Sequence, residues 1–78
     1  MKNELIKKID KIHTTSLGMK RIKTNLNIEA SGVDYCKNIL LNEDSIVYKN
    51  GKNYYLKYNN ILFTINSFSY TIITAHII

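Results

Sequence analysis

Seventy-eight residues, 45% of them hydrophobic and 22% charged, leave room for one hydrophobic core and not two. The single cysteine, Cys36, excludes an intramolecular disulfide and fits a reducing compartment, so a cytoplasmic location is expected. A net charge of +5 points to RNA or another anionic partner. Ten lysines, ten asparagines and thirteen isoleucines also fit an AT-rich coding sequence, so the lysine surplus has a compositional explanation beside the functional one; the sole arginine, Arg21, is not explained that way.

In chain order, the opening "MKNELIKKIDKI" mixes charge and apolar residues without a continuous apolar run, so neither a signal peptide nor a membrane span is expected. Leu5, Ile6, Ile9 and Ile12 follow helical spacing and predict a first helix from Asn3 to Ile12. Thr14, Thr15 or Ser16 can cap a second helix carrying Leu17, Ile22 and Leu26, with Gly18 marking a close approach or a bend. A third helix is expected from Ser31, with Asp34 as a capping-box-like acid and Val33, Cys36, Ile39 and Leu40 on its apolar face.

After Asn42 the pattern turns to strands. "SIVYK" and "NYYLKY" flank Asn50-Gly51, a strong hairpin signal, and Asn59-Asn60 can turn the chain again before "ILFTIN" and "YTIITAHI". The expected fold is therefore α+β: two or three N-terminal helices in residues 1–42, packed on a four-stranded antiparallel meander in residues 43–78, in a single domain. Strand alternation sends Ile61, Phe63 and Ile65 into the core, and in the last strand Thr71, Ile73, Ala75 and Ile77. It leaves Tyr55, Lys57, Thr64, Asn66, Thr74 and His76 on an open face, with Tyr70 and Ile72 on the outward side of the last strand.

The blocks "HTTSLGMKRIKTNL" and "GKNYYLKYNNILFTINSFSYTIITAH" resemble a family of short bacterial and phage proteins catalogued as a domain of unknown function. That family carries an H-T-T-x-x-G-x-x-R-I-x-x-N-L block, a W/Y-C-K helix, a G-K-N-W/Y-Y hairpin and a terminal S-Y-T-I-I-T-A-H. The resemblance spans Ile12 to His76, with Tyr54 where many members have tryptophan, and it implies no assigned activity. The order of helices followed by a meander is more loosely similar to RelE, BrnT and colicin-type endoribonuclease toxins with a barnase-like sheet. That likeness implies catalytic residues on the open sheet face and the adjoining helix end.

Metal-independent RNA cleavage needs a base, an acid and a cation at the phosphate. His13 and His76, the only two histidines, are the candidate acid and base. Arg21 is the candidate phosphate clamp and Thr74 a phosphate ligand. Lys52, Lys57, Tyr55 and Tyr70 are candidate nucleic-acid contacts. Each also has a structural explanation: His13 as a helix terminus, His76 as a strand end, the tyrosines as strand formers and Arg21 as the partner of Glu29 or Asp34. No zinc pattern, paired-carboxylate motif or glycine-rich phosphate loop is present, so no cofactor is implied. The alternative to an RNA-binding ribonuclease is a non-catalytic phage or mobile-element module that binds nucleic acid or inhibits a host protein complex of the anti-CRISPR kind. A homodimer would add buried surface to a chain this small.

Overall fold

The computed structural model describes residues 2–29 and 31–78. Three helices, α1 (Lys2–Lys7), α2 (Ser16–Leu26) and α3 (Gly32–Leu41), precede four strands, β1 (Ile46–Asn50), β2 (Asn53–Tyr58), β3 (Ile61–Asn66) and β4 (Ile72–Ile77). The strands form one antiparallel sheet in the order β1-β2-β3-β4, the expected meander.

The caps act as their chemistry requires. Thr15 Oγ1 accepts from the Gly18 N–H at 3.0 Å and starts α2, and Ser31 Oγ accepts from the Asp34 N–H at 3.4 Å at the start of α3. Asn27, in the left-handed region at φ 55°, ends α2. The first helix is shorter than its apolar spacing suggests. It breaks at Lys8, and a single 3-10 turn (Ile9–Lys11) tightens the path so that Ile12 is buried. Spacing alone does not separate these outcomes, because Ile9 and Ile12 fit a three-residue period as well as a 3.6-residue one. The β1–β2 turn also differs in detail. Gly51-Lys52 forms the loop, and Gly51 alone of the two has a positive φ, +64°, the pattern of a II′ turn with glycine first.

The helices cover one face of the sheet. Leu5, Ile12, Ile22, Leu26, Cys36 and Leu40 meet Tyr54, Leu56, Phe63, Ile65, Ile72 and Ala75 in one cluster. In β4 the expected alternation is corrected by a bulge. Thr64 pairs with Thr74 but Ile65 pairs with Ile72, so Ile73 is the extra residue. Ile72 therefore drops into the core at 2% exposure, whereas Ile73 is 45% and Ile77 52% exposed.

The outer edge of β4 is partly covered. The His13 N–H donates to Tyr70 O at 3.1 Å and the Ile72 N–H to His13 O at 2.8 Å, a short parallel bridge of His13 with Thr71. Thr14 Oγ1 donates to Ile72 O at 3.3 Å, and Asn25 Nδ2 of α2 donates to Ala75 O at 3.0 Å. Four backbone groups along this edge, Tyr70 O, Ile72 N–H, Ile72 O and Ala75 O, are thereby satisfied from within the chain.

Candidate functional site

The face turned away from the helices is organised in rows, because antiparallel register aligns every second residue across the strands. Ile46, Lys57, Leu62 and His76 form one row. Tyr48, Tyr55, Thr64 and Thr74 form the next, and Asn50, Asn53 and Asn66 lie at the β1–β2 turn end. Tyr48 and Tyr55 stack with centroids 5.3 Å apart and planes at 18°. Tyr48 keeps 46% exposure, while Thr64, flanked by Tyr55 and Thr74, is only 7% exposed. From Ser45 to the end the chain carries Lys49, Lys52 and Lys57 and no Asp or Glu, so the sheet itself has only positive charge.

The structure brings some of the expected site residues together and separates others. Tyr55, Lys57, Thr64, Asn66, Thr74 and His76 share the open face as the alternation implies. Lys52 stands in the turn beside Asn53. Arg21, exposed on α2, is one helical turn before Asn25 on the same stripe and so runs along the β4 edge. His13 lies elsewhere. It sits at the start of β4 beside Thr71, and His76 is five residues further along the strand, roughly 16 Å away at about 3.3 Å per residue. No proton can pass directly between two imidazoles so placed. Tyr70, with φ 60°, packs against the core cluster on the helix side rather than joining Tyr55. Tyr48 is the residue that sequence reading missed: a turn at Asn50-Gly51 would set it opposite Asn53, and only the observed Gly51-Lys52 loop brings it opposite Tyr55.

The role of His13 is local. Its Nδ1 lies 2.8 Å from Lys11 O; a carbonyl only accepts, so Nδ1 carries the proton. That leaves Nε2 to accept from Thr71 Oγ1 at 3.0 Å. Thr71 Oγ1 is in turn 2.8 Å from Ser69 Oγ, and Asn66 Oδ1 accepts from the Phe68 and Ser69 N–H groups, both at 2.9 Å. The "HTT" and "SYT" segments thus meet to fasten the β3–β4 turn to the connector before α2.

Cys36 is fully buried in α3, and burial pushes its thiol from the ordinary 9.0 up to about 12, with Lys37 pulling slightly the other way. It is not a nucleophile at neutral pH. Below pH 9.0 the thiol is protonated in both folded and unfolded chains; between 9.0 and about 12 only the unfolded chain sheds the proton. Stability therefore falls as pH rises through that window, by up to about 1.4 kcal/mol per pH unit. Tyr54, raised above 10.0 by burial and then by Glu4, acts in the same sense at higher pH. Urea midpoints on either side of pH 9.0 should show this decline, and Cys36→Ser should flatten its first part. An equally steep decline in the variant would show that the thiol is not its source.

Among the described residues no group of three His, Cys, Asp or Glu side chains is placed to hold a metal ion, and no helix is long and apolar enough to cross a membrane. A shallow groove of about 400 Å³ is lined by Thr14, Thr15, Ser16, Met19, Lys20 and Lys23. It is formed by the start of α2 and the residues leading into it, and none of its lining residues belongs to the sheet.

Comparison with curated proteins and with solved structures finds no match. The model of one family, described as "Protein of unknown function (DUF3781)", matches residues 6–76, which include every row of the open face and the His13–Thr71 fastening. The chain belongs to that family.

Proposed function

We propose that this chain is a small basic RNA-binding protein that receives its ligand on the open face of the sheet. The observation that carries the reading is the exposed Tyr48–Tyr55 stack beside Lys57, on strands that contain no acidic residue. Aromatic faces stack on bases, and lysines neutralise phosphates. The proposal is binding rather than cleavage. His13 is committed to Thr71 and Lys11, which leaves His76, with Arg21 and Thr74 near the β4 edge, as the remaining members of the candidate catalytic set.

Fluorescence anisotropy with labelled single-stranded RNA tests it. Affinity should fall linearly against the logarithm of salt concentration, and Lys57→Ala should reduce that slope by about 1. Tyr48→Ala should weaken binding roughly tenfold. His13→Ala should bind as the parent does, and the RNA should run intact on a denaturing gel without divalent metal. Absence of saturable binding at low salt would sink the proposal, and cleavage that His13→Ala abolishes would replace it with the ribonuclease reading.

A further inference from the structure

The polar chemistry of the open face is segregated. At the turn end stand the side-chain amides of Asn50 and Asn53, an in-register pair. Two residues along the strands is the tyrosine row, and two further the row of Lys57 and His76. Successive rows are therefore about 6.6 Å apart. An amide offers a donor and an acceptor side by side, which matches the mixed edge of a base. An ammonium offers only donors, which suits phosphate oxygens. Asn66 is excluded from base reading because its Oδ1 already accepts from the Phe68 and Ser69 N–H groups. Tyr48 and Tyr55 use one ring face each on the other, and the 46% exposure of Tyr48 leaves ring surface for a flat ligand.

We infer that the open face takes a single strand with unpaired bases, stacked on the tyrosine row, their edges read by Asn50 and Asn53 and their phosphates lying toward Lys57 and His76. This rests on the RNA-binding reading and adds to it the state of the ligand and the residues that discriminate between bases. A duplex keeps its base faces stacked inside and cannot offer them to Tyr48.

The full chain is tested by anisotropy against oligo-adenylate, oligo-uridylate, the oligo-adenylate annealed to its complement, and a ribose-phosphate oligomer without bases. The single strands should bind about tenfold or more tighter than the duplex and the abasic oligomer. Asn53→Ala and Asn50→Ala should each change the adenylate-to-uridylate affinity ratio severalfold while leaving the salt slope unchanged. Lys57→Ala should lower the slope and leave the ratio. Thermal melts of each variant confirm that it is folded. Equal affinity for single strand and duplex, equal affinity with and without bases, or an unchanged ratio in both asparagine variants overturns the inference and leaves RNA binding standing. No saturable binding of any probe overturns both.

Discussion

Phe63→Ala should cost about 3–5 kcal/mol of unfolding free energy, the range for removing a buried phenylalanine and leaving its cavity. The side chain is fully buried, pairs across the sheet with Leu56 on one side and Ala75 on the other, and meets the Tyr35 ring at 6.5 Å. At roughly 0.05–0.15 kcal/mol per residue, a chain of 78 residues holds about 4–12 kcal/mol in total. The loss is therefore about a quarter or more of what keeps the chain folded. Urea unfolding followed by circular dichroism gives the difference directly, and Phe63→Leu should recover much of it. Since Leu62 and Thr64 flank Phe63 and belong to the open face, ligand affinity measured on the folded fraction should be preserved while the folded fraction shrinks. A midpoint equal to the parent's would show that the core does not depend on this ring.

Gly32→Ala should also destabilise, by about 1–3 kcal/mol, although alanine is the better helix former by about 1 kcal/mol. A Cβ at position 32 would stand 2.6 Å from Ile22 Cγ2 and 3.1 Å from Ile22 Cβ. Ile22 is 1% exposed and β-branched, so its Cγ2 cannot swing aside. Helices α2 and α3 would have to part at their crossing. For a domain of this size each kcal/mol lowers the melting temperature by about 4–8 °C. The partner variant Ile22→Ala should be destabilising alone yet cost less in the Gly32→Ala background, and strict additivity would refute the contact as the cause. Gly51→Ala makes a useful contrast: nothing lies within 4 Å of its Cβ position, and only the positive φ of +64° resists the change.

Local chemistry was legible in the sequence wherever a residue acts on its neighbours. One of the three candidate caps of the second helix, Thr15, and the expected start of the third, Ser31, do act as caps, the meander followed from its turn residues, and the outward set on β2 and β3 followed from alternation. The β4 bulge was not legible, since Ile72 and Ile73 are identical side chains and only pairing with β3 decides which one is buried. The "HTT" and "SYT" segments come together, which the sequence reading, looking for His13 beside His76, did not anticipate. They do so through Thr71, 58 positions from His13, and not through His76. That outcome depends on how the 3-10 turn after α1 aims the chain, which no local pattern encodes. Tyr48 was overlooked because it precedes the turn as a single exposed tyrosine; its meaning comes only from Tyr55 opposite.

The partial covering of the β4 edge by His13, Thr14 and Asn25 has a consequence for how copies of this chain can meet. Open-ended stacking of sheets into a fibre requires each molecule to offer two bare edges, one to receive and one to pass on. With the start of β4 bridged and Ala75 O taken by Asn25, joining through β4 is disfavoured and β1 is the barer edge. Two polar side chains and one backbone bridge thus work against polymerisation in a protein whose sheet is otherwise rich in isoleucine and tyrosine.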